Sequence, residues 1–252
     1  MWLKKLIKRF LNFWGIVIVV YRDPDKGKSK DDLRISEYKE EGKRFTWLKQ
    51  YNLNTIIDIG ANEGQFANKI LSIFPNIEVH CFEPLKDAYQ ELQRNFKNQQ
   101  NVHLYNCGLG ESNSEKEIFK NEYSPSSSLL PMLDLHKVNF DYAVDVVPER
   151  ITIRKLDEVM EDKVKRPLLV KIDVQGYEMF VLKGGQSVIK QADVVIIETS
   201  FYPLYSGQPL FEDIYDYFKN AGYKYVGNIE QLLVPVDFKI LQADAIFVKG
   251  KI

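Results

Sequence analysis

Residues 55–66, TIIDIGANEGQF, constrain the fold of this chain more than any other segment. A short β-branched run ends in a glycine turn, and the turn leads directly into a helical pattern. Gly60 has no Cβ and lets the backbone approach a ligand, while Gly64 permits tight entry into the helix. The first helical turn offers unpaired N–H groups to a polar ligand. The segment therefore predicts a strand, turn and helix that cradle a nucleotide-like molecule.

A second apolar run, residues 77–83, ends in a carboxylate. Glu83 follows Gly60 by 23 positions. In nucleotide-binding units an acidic residue about 20 positions after the turn reaches the ribose hydroxyls. The spacing therefore predicts a ligand that carries a ribose.

The turn differs from the dinucleotide fingerprint G-x-G-x-x-G in two ways. Asn62 occupies the place of the second glycine, which would make room for a pyrophosphate, and Asp58 precedes the turn. An acidic residue disfavours phosphate and suits a cation, such as the sulfonium and amino group of S-adenosylmethionine. A nucleotide-dependent oxidoreductase is therefore disfavoured. The predicted cofactor-binding residues of this region are Asp58, Gly60, Asn62, Gly64 and Glu83.

Strand-like runs alternate with helical patterns along most of the chain. The strand-like runs are residues 56–59, 77–82, 102–107, 168–172, 194–197 and 245–248, and the helical patterns are residues 65–74, 87–96, 177–182 and 211–221. This order is typical of an α/β protein with a doubly wound parallel sheet.

The alternation breaks between residues 108 and 166, where a polar strand is expected near residues 117–119. Ligands of open α/β sheets bind outside the carboxyl ends of the strands, and a long irregular segment after the third strand would lie over that edge. Residues 120–148 are therefore interpreted as a lid on the acceptor side of the site. An ordinary surface excursion is the alternative.

Four segments, in order, resemble the FkbM family of S-adenosylmethionine-dependent methyltransferases. They are DIGANEG at 58–64, FEP at 82–84, KIDVQGYE at 171–178 with LKGG at 182–185, and ETSFYPLYSGQPLF at 198–211. The resemblance covers about residues 50–250, and KIDVQGYE is its most specific part. It implies a mostly parallel, seven-stranded class I methyltransferase sheet of Rossmann-like type. It also implies S-adenosylmethionine as cofactor and O-methylation of a sugar, a glycan or another hydroxylated natural product.

Two carboxylates are candidates for the catalytic step. Asp173 ends the run LLVKID, and Glu198 ends the run VVIIE. If the two strands are neighbours, as the resemblance implies, both side chains reach the ligand crevice. A carboxylate there can take the acceptor proton as a general base, or the two can bind a divalent ion such as Mg²⁺ or Mn²⁺. The alternative for each is a structural cap on the following segment.

Further site residues rest on position or on the resemblance. Asn106 ends the third strand, and Gly108 and Leu109 follow it, near the expected adenine. On the acceptor side, the resemblance points to Ser127 within a serine run. Tyr202 and Tyr205 lie in the broken segment after Glu198, where aromatic faces can pack against a sugar ring.

Composition limits the classes of protein that remain. The 252 residues are 45% hydrophobic and 27% charged with a net charge of −1, which fits one α/β domain and gives no basic field for nucleic acid. Cys81 and Cys107 each end an apolar run and are interpreted as reduced core residues of a cytoplasmic protein. No metal-ligand spacing links them to each other or to the three histidines, His80, His103 and His136.

The N-terminal region has a different character. Residues 1–14 predict a basic amphipathic helix, and the apolar run that follows ends at Tyr21, short of the length that spans a bilayer. Residues 1–32 are therefore a helix with a charged linker at 23–32, followed by a methyltransferase domain at 33–252. The helix either packs on the domain or contacts the cytoplasmic membrane surface peripherally through residues 1–22. A catalytically silent scaffold in a membrane-associated glycan assembly complex is the alternative function.

Overall fold

The computed structural model describes residues 30–121, 127–133, 146–234 and 238–250, with side chains from residue 34 onward except at position 146. The predicted amphipathic helix at 1–14 and most of the predicted linker lie outside these residues. The last three residues of that linker, 30–32, belong to a helix that begins at Lys30. The chain divides into two compact units, residues 1–37 and 38–252, and the site described below lies in the second.

Between residues 55 and 105, and again from 168 to 220, the described strands and helices alternate as the sequence predicts. The first half contains α1 (Lys30–Gly42), a 3₁₀ helix (Lys43–Tyr51), β1 (Thr55–Ile59), α2 (Gln65–Leu71), β2 (Glu78–Phe82), α3 (Lys86–Phe96), β3 (Val102–Tyr105), β4 (Gly108–Leu109) and β5 (Ser114–Asn121). The second half contains β6 (Val146–Arg154), α4 (Leu156–Val159), β7 (Leu168–Ile172), α5 (Glu178–Gly184), α6 (Gln186–Ile189), β8 (Val194–Ser200), α7 (Phe211–Asn220), β9 (Tyr223–Leu233) and β10 (Ile240–Lys249).

The main sheet has seven strands in the order β3-β2-β1-β7-β8-β10-β9. The first five run parallel, and β10 and β9 are antiparallel to their neighbours. Every residue of β1 and β7 is buried, as expected of central strands that are covered on both faces. The predicted mostly parallel, seven-stranded sheet is confirmed. The strand order reverses beside β1, which opens a crevice at the carboxyl ends of β1 and β7.

The core lies on both faces of this sheet, because successive side chains of a strand point to opposite faces. Ile57 and Val170 pack on one face, and Ile56 and Leu169 pack on the other. Cys81 and Cys107 are both buried and free of disulfide bonds, as the sequence predicts. Among the described residues, none of the helices has the length and hydrophobicity required to cross a bilayer.

A second, three-stranded sheet in the order β4-β6-β5 forms where the alternation breaks. The polar strand expected near residues 117–119 lies within β5 and is confirmed. Strand β6, which pairs with it, was not predicted. The predicted lid at 120–148 is described only in part, since residues 122–126 and 134–145 lie outside the described residues.

Candidate active site

A cavity of about 530 Å³ opens at the carboxyl ends of β1, β2, β7 and β8. Its volume is in the range of small-molecule sites. Nine of the residues singled out from the sequence line it: Asp58, Gly60, Asn62, Glu83, Gly108, Leu109, Ser127, Asp173 and Glu198. Segments far apart in the sequence therefore meet at one site.

The turn after β1 depends on glycine at two positions for different reasons. Gly60 has φ +81°, and a Cβ there would lie 1.8 Å from the backbone oxygen of Asp173. Gly64 has φ +91°, and a Cβ there would lie 2.3 Å from Cε2 of Phe96 in α3. Gly60 thus brings two loops together at the cavity, whereas Gly64 allows the start of α2 to pack on α3. Within the described structure, Gly64 is not part of the cavity lining.

Asp58 gives the cavity a buried negative group. It is 2% exposed, and its Oδ2 atom has no hydrogen-bond partner among the described residues. Burial raises the pKa of Asp58 to about 7, and the charge of Lys171, its neighbour in register on β7, opposes that rise. A buried carboxylate oxygen without a donor is costly. A cationic ligand with N–H groups would supply the missing partner, so Asp58 fits the sulfonium-bearing amino acid part of S-adenosylmethionine.

Glu83 is held in one orientation by backbone donors. Its Oε2 accepts the N–H of Asn62 and its Oε1 accepts the N–H of Leu85, both at 2.8 Å. Burial raises the pKa of Glu83 to about 7. Each carboxylate oxygen keeps a second acceptor position, so ribose hydroxyls can still bind. Asn106 donates to the backbone oxygens of Glu83 at 2.9 Å and Pro84 at 3.1 Å, and so braces this loop from outside the described cavity lining.

Asp173 and Glu198, the carboxylate pair, come from neighbouring parallel strands. Ile172 of β7 pairs with Ile197 of β8, which sets the two acids side by side as predicted. Nε2 of Gln175 donates to Oδ1 of Asp173 at 2.9 Å and to Oε2 of Glu198 at 2.8 Å. One amide group therefore holds both carboxylates at the cavity. Gln175 adopts φ +50°, an uncommon conformation for a residue with a side chain.

The buried ammonium group of Lys171 lies beside the carboxylate pair. Nζ of Lys171 lies 3.3 Å from Oδ2 of Asp173 and 3.2 Å from Oδ1 of Asp244 in β10. Burial alone would lower the pKa of Lys171, but the surrounding carboxylates raise it above its ordinary value. Burial raises the pKa of Glu198 well above its usual range, and the charge of Asp173 adds to that rise. Glu198 therefore binds a proton more readily than an isolated carboxylate.

Gln175 is itself fixed by the acceptor side of the molecule. The hydroxyl of Tyr205 donates to its Oε1 at 2.9 Å, and the hydroxyl of Ser128 donates to its backbone oxygen at 2.6 Å. Tyr205 is fully buried and, among the described residues, lies behind Gln175 rather than in the cavity lining. The predicted acceptor contact of Tyr205 is therefore indirect in this geometry.

The other two predicted acceptor residues lie in different surroundings. Ser127 lines the cavity, and its Oγ accepts the N–H of Asn121 at 3.0 Å. Tyr202 is 38% exposed, and Nζ of Lys239 lies 5.4 Å from the centre of its ring. In the described structure Tyr202 stands outside the cavity lining.

Sequence reasoning missed the residues that hold the carboxylate pair. Gln242 of β10 donates from Nε2 to Oε2 of Glu198 at 2.8 Å, beside the donor from Gln175. For Lys171 a signal existed, because a lysine inside the apolar strand LLVKI must find a buried counter-charge. For Gln175 and Gln242 no local pattern separates a buried amide from a surface one.

Comparison with known proteins places this site in a family. The family model for the methyltransferase FkbM domain matches residues 58–225. The chain is 25% identical over 161 residues to the 2-O-methyltransferase NoeI of Sinorhizobium fredii, over 61% of this chain and 66% of that protein. It is 31% identical over 144 residues to the hexuronic acid methyltransferase AglP of Haloferax volcanii, over 56% of this chain and 54% of that protein. The matches thus span less than two thirds of these relatives.

Among solved structures, the methyltransferase domain of the bacterial protein CtHen1 aligns with 85% of this chain and 99% of that chain, at a TM-score of 0.47 and 11% identity. The family match itself includes the glycine turn, Glu83 and the carboxylate pair. The chain belongs to the FkbM family of methyltransferases.

Proposed function

We propose that the protein transfers a methyl group from S-adenosylmethionine to a hydroxyl of a sugar, a glycan or a related natural product. The observation that carries this proposal is the carboxylate pair, Asp173 and Glu198, held by Gln175 beside a glycine turn suited to a nucleoside. The names of the relatives, a 2-O-methyltransferase and a hexuronic acid methyltransferase, support the acceptor class.

The cavity residues fit the cofactor group by group. Asp58 would accept hydrogen bonds from its amino group and balance its positive charge, because its Oδ2 has no other partner among the described residues. Glu83 would bind the ribose hydroxyls, and Gly108 and Leu109 would contact the adenine. Bound there, S-adenosylmethionine supplies a methyl group activated by a positively charged sulfur.

The carboxylate pair would handle the proton that the acceptor hydroxyl loses. The side chain of Asp173 is 37% exposed and can contact the acceptor, whereas Glu198 accepts hydrogen bonds from Gln175 and Gln242. Because burial and the charge of Asp173 raise the pKa of Glu198, Glu198 binds a proton more readily than an isolated carboxylate. General-base catalysis of this kind contributes about 10²–10⁴-fold to the rate.

The surroundings of the pair favour a general base over a Mg²⁺ or Mn²⁺ site. The ammonium group of Lys171 lies 3.3 Å from Oδ2 of Asp173, where it would repel a divalent cation. Gln175 donates to the other oxygen of Asp173 and to Glu198. The carboxylate oxygens that a metal would need are thus already paired with donors from the protein.

The same features favour an enzyme over a catalytically silent scaffold, which would need neither an acceptor cavity nor a buried acid pair. Ser127 at the cavity and Tyr202 at the surface remain our candidates for acceptor contacts. The proposed peripheral membrane contact concerns residues 1–22, which lie outside the described residues.

The test is an acceptor screen with labelled methyl donor over sugars, glycolipids and polyketide alcohols. We expect labelled product from at least one hydroxylated acceptor. Asp173→Asn should lower kcat at least about 100-fold, while the Kd for S-adenosylhomocysteine changes less than about twofold, because the base acts on the acceptor oxygen. Asp216→Asn, an exposed change on α7, is the control and should match wild type. Full activity of Asp173→Asn would contradict the role of the pair.

A further inference from the structure

A second cluster of ligand-type side chains lies on the edge of the main sheet. Glu78 and His80 belong to β2, and His103 belongs to β3, where it pairs in register with His80. The two imidazole rings stack with their centres 4.7 Å apart. One ligand atom from each of the three residues lies within 4.8 Å of the others. The sequence showed no ligand spacing because the residues come from two strands that meet only in the sheet.

His80 supplies independent evidence that this cluster has a ligand. The residue is 3% exposed, and its Nε2 has no hydrogen-bond partner among the described residues. Its Nδ1 lies 3.1 Å from the hydroxyl of Tyr105. A buried ring nitrogen without a partner is costly, so an unpaired Nε2 requires an explanation. When one nitrogen of a histidine is hydrogen-bonded, the other is oriented for a metal.

We propose that Glu78, His80 and His103 bind a divalent transition-metal cation, for which zinc is the best match. Zinc takes imidazole and carboxylate ligands, and three protein ligands with water in the fourth position are a known arrangement.

The unbound geometry must tighten slightly to hold the ion. Zinc–ligand bonds of about 2.0–2.1 Å in a tetrahedral site bring ligand atoms about 3.3 Å apart. The buried His80 is fixed by Tyr105, so the movement falls to the other two residues. The side chain of Glu78 is 35% exposed, and His103 reaches solvent on the edge strand, so both have room to rotate.

Lys165 competes with the ion for Glu78. Its Nζ lies 3.0 Å from Oε1 of Glu78 and forms an ion pair with it. A cation bound by Glu78 would have to weaken this pair, and the positive charge of Lys165 would repel it. We therefore expect affinity in the micromolar range, and we expect removal of the lysine charge to strengthen binding. A surface ion pair without a metal role predicts no such gain.

The cluster is separate from the methyl-transfer site, because in the described structure its three residues are not part of the cavity lining. A metal ion there would crosslink the edge strand β3 to β2, because its ligands come from both strands. Since binding to the folded state alone stabilises it, a metal at about 100 times its Kd should raise Tm by about 5 °C or more. Zinc binding at this edge of the sheet therefore does not depend on the proposed reaction.

The experiment is calorimetric titration of zinc chloride into the full-length protein without an affinity tag, together with thermal unfolding. We expect one zinc ion per chain. His103→Gln and Glu78→Gln should each weaken binding at least about tenfold and abolish the rise in Tm, while Lys165→Gln should tighten binding severalfold. Glu91→Gln removes an exposed carboxylate on α3 and should leave zinc binding unchanged.

His103 reaches solvent, so its replacement tests the site even if His80→Gln fails to fold. Zinc bound equally well by wild type and His103→Gln would overturn the proposal, since the ion would then bind elsewhere on the chain. Absence of zinc binding to the wild type at 100 μM would overturn it as well. Unchanged affinity in Lys165→Gln would contradict the assignment of Glu78 as a ligand.

Discussion

The two halves of the cavity are built from different kinds of contact. The donor half, formed by the turn after β1 and the end of β2, relies on the backbone. Gly60 lets two loops meet, and the N–H groups of Asn62 and Leu85 hold Glu83 in place. The acid half relies on side chains, because the carboxylate pair is held by Lys171 and Gln175 from one segment and by Gln242 from β10.

Because the two halves are held by different kinds of contact, we expect one half to control cofactor affinity and the other to control turnover. A group held by backbone N–H donors keeps its position when neighbouring side chains change, provided that the turn keeps its glycine. A group held by side-chain amides and one ammonium depends on each of them. We therefore expect changes in the donor half to alter stability or cofactor affinity, and changes in the acid half to alter turnover.

The largest effect is expected at Gly60. In Gly60→Ala the new Cβ would lie 1.8 Å from the backbone oxygen of Asp173 at a φ of +81°, so the loops must separate. We expect a loss of about 3 kcal/mol or more in the free energy of unfolding, with loss of cofactor binding. Gly207→Ala is the matched control, because it has φ +74° with no atom within 4 Å of its Cβ. If both variants lose the same free energy of unfolding in urea, the strained φ, and not the close approach of the two loops, causes the loss.

Glu83→Ala tests the donor half directly. Loss of hydrogen bonds between a charged group and the ribose should weaken S-adenosylhomocysteine binding by about 1.5–3 kcal/mol, measured by calorimetry. Glu149→Ala is the control, since Glu149 also accepts a backbone N–H, that of Lys86 at 3.0 Å, but is not part of the described cavity lining. If the control weakens binding as much, Glu83 acts through the loop and not through the ribose.

Asp58→Asn should change the pH dependence of stability. The folded pKa of Asp58, about 7, lies above its ordinary value of 3.8, so the folded state binds the proton more tightly than the unfolded state. Stability from this group is therefore present at low pH and is lost as pH rises from about 4 to 7. At pH 7.5 we expect the ligand-free variant to be more stable than wild type by at least about 2 kcal/mol, with little difference at pH 4. If the Tm of the variant and the Tm of wild type depend on pH in the same way, Asp58 does not become ionised while it is buried in the folded state.

Gln175→Ala tests the acid half. Without the amide donor, Asp173 and Glu198 lose their shared partner and can separate. We expect kcat to fall about tenfold while cofactor Kd stays within about twofold, because a positioning residue acts on the transition state. Gln191→Ala removes an exposed amide that donates to Ser187 and should have no effect. A rise in Kd without a change in kcat would place Gln175 with the donor half instead.

The smallest effect is expected from a chelator. The ammonium group of Lys171 lies beside Asp173 and would repel a divalent cation. EDTA should therefore leave turnover within about twofold of the untreated enzyme. If zinc occupies the proposed edge site, the same treatment should lower Tm without lowering kcat. Loss of turnover that Mg²⁺ or Mn²⁺ restores would mean that the carboxylates bind a metal.

The sequence predicts the donor half from local signals. The glycine turn, Asp58 and Glu83 follow one another along two consecutive strands, and their spacing has direct physical meaning. It also predicted that β7 and β8 are neighbours, through the family resemblance. It did not predict β6, because the strand lies in a segment without clear periodicity.

Tyr205 and the two histidines make contacts that the sequence did not indicate. Tyr205 was expected to contact an acceptor, but it is buried and donates to Gln175. His80 and His103 carried no metal spacing in the sequence, but register pairing brings them together. Neither contact follows from spacing, since each depends on which strands or loops meet.

The sequence alone therefore determined the alternating α/β architecture through its hydrophobic periodicity, and the resemblance of four segments identified the family. The glycine turn that we propose as the cofactor cradle was also evident, because such signals act over short distances along the chain. Only the tertiary structure decided how Asp173 and Glu198 are held and where Lys171 finds its counter-charges. The physical reason is that buried charges and amides take their partners from whatever side chains adjacent strands present. Those partners are set by strand order and register, which no local pattern contains.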